Sequence, residues 1–169
     1  FAGFTQISGG DGKDTFDYSG VGSQVFSGKI DGAGGAEDVI KGFNADTAWD
    51  LTATPANFYK AADSSKKYNF SGVEKLVGGT AKDTVTLAAS VTEVNLDAFS
   101  TGFSLENFEG ITATAQGGAK LTGYSGDSTW EISNANQGKI TSGSGKSTEF
   151  AGFSALASSN AQNNKDKFT

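Results

Sequence analysis

The sequence predicts an all-β chain, a parallel β-helix (β-solenoid) of degenerate 70–80-residue repeats, and three observations lead there. Short runs alternate apolar and polar residues with the period of a half-buried strand. Glycine clusters punctuate those runs, while Pro55 is the single proline among 169 residues and 24 are glycine. A tetrapeptide pattern returns along the chain, as expected of stacked units. Tandem β-sandwich domains are the alternative, but continuous strand ladders suit a chain so poor in proline, which cannot donate to them.

In chain order, Phe16-Asp17-Tyr18, Trp49-Asp50-Leu51, Val85-Thr86-Leu87, Val94-Asn95-Leu96 and Trp130-Glu131-Ile132 read as strands with one buried face. Trp49 and Trp130 are therefore expected inward and their following acids outward. Between the runs lie Gly9-Gly10-Asp11-Gly12, Asp31-Gly32-Ala33-Gly34-Gly35 and Gly143-Ser144-Gly145, suited to tight turns. No segment keeps a helical apolar stripe beyond two turns.

The repeated tetrapeptides are Phe1-Ala2-Gly3-Phe4, Phe70-Ser71-Gly72-Val73 and Phe150-Ala151-Gly152-Phe153. Each leads to an aliphatic position (Ile7, Leu76, Leu156) and then to Lys-Asp: Lys13-Asp14, Lys82-Asp83, Lys165-Asp166. On that alignment Phe4, Val73 and Phe153 are equivalent core positions, and so are Phe16 and Val85. A second block aligns Ile40 to Trp49 with Leu121 to Trp130, and Ile30 with Ile111. The expected organisation is unit 1 over 1–69, unit 2 over 70–149, and the start of unit 3 over 150–169. About a dozen extra residues near 91–103 are expected as an appended, removable strand or outward loop.

Composition excludes several functions. With 19 acidic residues against 13 basic ones, all lysine, the net charge of −6 disfavours nucleic acid. Without Cys there is neither a disulfide framework nor a thiolate metal site, and without His or Cys the common general base and thiol nucleophile are missing. The acids recur with the repeats (Asp46 with Asp127, Asp50 with Glu131), which suits a scaffold better than a catalytic centre, so no enzyme is expected. Gly143 to Thr148 lacks the first glycine and the strand-to-helix setting of a phosphate-binding loop, and no organic cofactor is expected. Asn69-Phe70-Ser71 fits a glycosylation sequon, but Phe70 is a repeat core position. No apolar run approaches the roughly 20 residues of a membrane span. The chain opens on Phe1 without a visible secretory signal, so export is expected to be encoded elsewhere.

Residues Gly9 to Asp17 resemble the glycine-aspartate nonapeptide of RTX exoproteins at every fixed position. The wider Phe-x-Gly-Phe, Gly-Gly and Lys-Asp-Thr-Phe units resemble those of giant secreted bacterial adhesins and filamentous-haemagglutinin-like exoproteins. The resemblance implies a parallel β-helix, location outside the cell or on the bacterial surface, and a role in attachment or biofilm matrix. It also implies Ca²⁺ as a candidate ion, with Asp11 and Asp14 as ligands, although the second copy has Ala81 in place of a glycine. The residues themselves suggest instead that each Asp accepts turn amide hydrogens.

The expected function is a structural and adhesive module, a rigid spacer meeting neighbouring copies of itself or extracellular polysaccharide. A calcium-stabilised RTX or S-layer-type module and, more weakly, a polysaccharide-processing β-helix are the alternatives.

Overall fold

The computed structural model of the chain describes residues 4–22, 28–96, 103–114, 118–159 and 165–169. Among them there is no α-helix; eighteen strands form one wholly parallel and one mixed sheet. The first half supplies β1 (Gln6–Ser8), β2 (Thr15–Asp17), β3 (Lys29–Asp31), β4 (Val39–Lys41), β5 (Thr47–Asp50), β6 (Ala56–Lys60), β7 (Tyr68–Ser71) and β8 (Lys75–Val77). The second supplies β9 (Asp83–Leu87), β10 (Glu93–Leu96), β11 (Phe103–Glu106), β12 (Gly110–Ala113), β13 (Ala119–Thr122), β14 (Ser128–Asn134), β15 (Gln137–Ser142), β16 (Ser147–Ala151), β17 (Phe153–Ala157) and β18 (Lys167–Phe168).

The mixed sheet has eleven strands in the order β1-β3-β7-β6-β5-β9-β12-β16-β15-β14-β18, and the parallel sheet has seven in the order β2-β4-β8-β11-β10-β13-β17. For most of its length the chain alternates between the two. Twice it stays in the mixed sheet for three strands, β5-β6-β7 and β14-β15-β16, which run as antiparallel meanders. A wholly parallel arrangement is thus corrected at these two places. The reason is local: Ala135-Asn136 offers a two-residue reversal with Asn136 at a φ of 60°, and parallel neighbours need a longer crossover.

Strand register stacks the core. Tyr68, Phe58, Trp49, Val85, Ile111 and Phe150 occupy successive paired positions across six strands of the mixed sheet, and all are buried. Ile40, Leu76, Leu105 and Leu96 do the same in the parallel sheet, and the buried side chains of both sheets join in one cluster. Burying each such side chain contributes about 1.5–3 kcal/mol.

The tetrapeptide pattern acquires a mechanical meaning at the corners. Phe70 and Phe150, each one residue before the end of a mixed-sheet strand, are buried in the core, and Gly72 and Gly152 follow the strand ends with φ of 62° and 80°, so that β8 and β17 begin in the other sheet. A Cβ on Gly152 would stand 2.1 Å from the Ala113 carbonyl oxygen, so no larger residue fits. Phe153 is buried and Val73 is partly buried against the core. Phe4 corrects the expectation, being 60% exposed: it leads into the edge strand β1 of the mixed sheet and occupies no equivalent corner. Phe1 to Gly3 lie outside the described residues.

Topology also resets the repeat. Ile7 lies in the mixed sheet but Leu76 and Leu156 in the parallel one; Phe16 lies in the parallel sheet but Val85 in the mixed one. Phe16 and Val85, though both packed against the core, are therefore not equivalent. Instead β1 pairs with β3 as β9 pairs with β12, and β2 pairs with β4 as β10 pairs with β13. Ile7 with Val85, Phe16 with Val94 and Tyr18 with Leu96 then share one spacing (7 to 85, 16 to 94, 18 to 96). The matching runs are β1–β8 and β9–β17, with β11 as the additional strand. Rather than appended, β10 is paired on both sides, and Val94 and Leu96 are buried. Residues 97–102 of the expected insertion lie outside the described residues.

Candidate functional site

The acids at the corners hold backbone. The Gly10 amide donates to Asp14 Oδ2 at 2.7 Å, and the Gly79 amide donates to Asp83 Oδ2 at 2.7 Å. Each Asp in turn donates its own amide to an acid of the adjoining strand, Asp14 to Asp38 Oδ1 and Asp83 to Glu109 Oε2. The same device links Asp38 to Glu74, Lys82 to Asp46, Ser128 to Asp166 and Lys165 to Asp127. A carboxylate fits because it accepts amides that the parallel ladder leaves unpaired where the chain turns.

Of these acids Asp83 is the most enclosed, with no exposed surface. Burial pushes its carboxyl up to about 6, against hydrogen bonds from Trp49 Nε1, the Gly79 amide and Thr47 that favour the charged form.

Asp11 is exposed, and Asp14 accepts the Gly10 amide; two carboxylates by themselves fall short of the six to eight oxygens that Ca²⁺ takes. Lys13, between them in sequence, turns away to Glu37 at 3.2 Å. No group of three or more His, Cys, Asp or Glu suited to a metal occurs among the described residues.

Trp49 and Trp130 are 1% and 0% exposed and offer no ring face to a ligand. Gly42 and Gly123 make room for them: a Cβ at either would stand 2.7 Å from the Cζ2 of its Trp.

What remains is the outer face of the mixed sheet. An open groove of about 670 Å³ runs there, and it draws on β9 and β12 as well as on the β14–β15 hairpin. Thr84, Gly110, Glu149, Lys139 and Glu131 form one in-register row across it; Thr86, Thr112, Ala151 and Gln137 form a second. Beyond Lys82, Lys139 and Glu149 it continues into a depression lined by Thr80, Glu109 and Ser147. Sequence reading missed these residues. Their one signal was alternation about Val85 and Ile111, which says "outward" but not which strands converge.

No known protein family, curated protein or solved structure matches the chain. Among the described residues no helix is long and apolar enough to cross a membrane.

Proposed function

We propose that the chain is a two-sheet β-solenoid segment acting as a non-enzymatic structural and adhesive module, a stiff spacer of an extracellular bacterial surface protein or matrix filament. One observation carries the reading: β1–β8 and β9–β17 repeat the same strand order, β11 apart, and the same corner ladder, in which the corner acids accept backbone amides. Side chains so committed support stacking, in which each strand's stability depends on its neighbours. The extracellular assignment rests on the resemblance of the glycine-aspartate and Phe-x-Gly units to secreted adhesins.

Small-angle scattering tests the shape. Eleven strands at about 4.8 Å spacing should give a rod roughly 50 Å long, with no release of reducing or unsaturated sugar ends from a glycan panel. An isotropic particle overturns the solenoid, and turnover of a glycan overturns the non-enzymatic reading.

A further inference from the structure

In a repeating scaffold the part that does not repeat is where a site is to be sought. Besides the additional strand β11, the two units differ at the β14–β15 hairpin, seven and six residues long where the equivalent β5 and β6 have four and five. Within the sheet β14 lies four positions from β9, about 19 Å at ordinary strand spacing, yet Glu131 and Ser133 line the same groove as Thr84 and Thr86. The sheet is therefore concave over this stretch, and the trough crosses the strands. Gly110, between Thr84 and Glu149 in the row, keeps its floor low.

Its side chains are also uncommitted. In the outer groove of the parallel sheet the lysines are engaged: Lys13, Lys41 and Lys75 pair with Glu37, Asp17 and Glu106. In the mixed-sheet trough Lys139 stands in register between Glu131 and Glu149, yet among the described residues the side chains of these three and of Lys82 make no ion pair or hydrogen bond.

We propose that this trough binds an uncharged polysaccharide chain. Two lysines and two glutamates, with Thr84, Thr86, Thr112 and Gln137, offer closely spaced donors and acceptors of both kinds, which match sugar hydroxyls. The alternation of charge disfavours a polyanion or polycation, since either would face like charges. An extended peptide has no strand edge to join, because β9, β12, β16 and β15 are paired on both sides. The inference rests on the adhesive reading and supplies its ligand class and its surface.

The test is affinity electrophoresis and calorimetry of the whole chain against dextran, xylan, cello- and chito-oligosaccharides, with alginate and heparin as charged probes. At least one uncharged glycan should bind, and Lys139→Ala with Thr86→Ala should weaken it at least tenfold. Lys41→Ala in the other groove should change it less than twofold. Tryptophan emission and scattering on the same samples confirm the fold of each variant. No binding to any uncharged glycan, binding to the charged probes alone, or equal loss in Lys41→Ala overturns the proposal. Because the rod is read separately by scattering, the spacer reading survives or fails on its own measurement.

Discussion

The meanders β5-β6-β7 and β14-β15-β16 occupy equivalent places in the two units, yet they are satisfied to different degrees. In the first, Trp49 stacks on Phe58 at 4.5 Å and 18°, Phe58 stacks on Tyr68 at 5.3 Å, and Trp49 Nε1 donates to Asp83 at 3.4 Å. In the second, Ile140 replaces the facing aromatic, and Trp130 stacks at 5.5 Å on Phe168, which is 53% exposed. There Trp130 Nε1 and Asp166 Oδ2, the counterparts of the bonded pair, are both buried with no hydrogen-bond partner among the described residues, as Asn57 Oδ1 is in the first meander. The row beside the tryptophans, Asp50-Asn57-Asn69, in which Asn57 is buried, becomes the exposed Glu131-Lys139-Glu149. The stacked apolar positions keep a common geometry, while this row differs because most of it stays out of the core.

The comparison breaks most sharply at the tryptophans. Trp49→Ala should cost about 3–5 kcal/mol, as buried aromatic truncations do, and Trp130→Ala less by about 1 kcal/mol or more, since it loses a half-exposed stack and no hydrogen bond. Denaturant melts measure both, and an equal or larger loss for Trp130 would mean that the second meander is no weaker than the first.

Next come the glycines beneath the two rings. Gly42→Ala and Gly123→Ala each force a methyl to 2.7 Å from an indole carbon, and Gly123→Ala also to 2.9 Å from Ile140 Cδ1. Each should destabilise by roughly 1–3 kcal/mol, with Gly123→Ala no milder. A neutral effect at either position would show that the indole shifts freely.

The Trp49-Asp83 pair makes stability respond to pH. The Asp83 carboxyl sits at about 6 in the folded protein against 3.8 in an ordinary Asp, so between those values the folded state holds a proton that the unfolded chain has released. Stability is thus greater on the acid side and falls by about 3 kcal/mol as pH rises through that window. Asp17, Asp31 and Asp50, whose hydrogen bonds hold their carboxyls below the ordinary value, lose stability only at lower pH and do not mask it. Thermal midpoints at pH 4.5 and 6.5 should differ in the native chain, and the difference should shrink in Asp83→Asn. An unchanged slope in that variant would assign the effect to another group.

The smallest effect is expected at Asp50, on the outward face, where the carboxylate accepts from the Thr52 amide and hydroxyl. Asp50→Asn keeps an acceptor oxygen there and should change stability by no more than about 0.5 kcal/mol. A large loss in urea melts would make the outer row part of the folding core.

Local motifs were readable where one covalent stretch contains the whole cause. The Gly-Gly-x-x-Lys-Asp corner closes with the same amide-to-Asp bond at Gly10 and at Gly79, and Phe-x-Gly turns the chain at Gly72 and Gly152. That very sameness misled the alignment: one corner passes from the mixed to the parallel sheet and the other returns, and no residue within the corner records the direction.

The sequence by itself determined that the chain is all β, because alternation of period two needs only neighbouring residues to choose a buried face. It also determined that Trp49 and Trp130 lie in strands where the following acid points the other way, since successive side chains on a strand must. Only the tertiary structure decided which strand lies beside which, that β6 and β15 run antiparallel to their neighbours, and that Phe4 is largely exposed. It alone decided that Lys139 and Thr86 share a trough. These depend on pairings between residues tens of positions apart, where many registers bury similar apolar area and the sum of all contacts selects one.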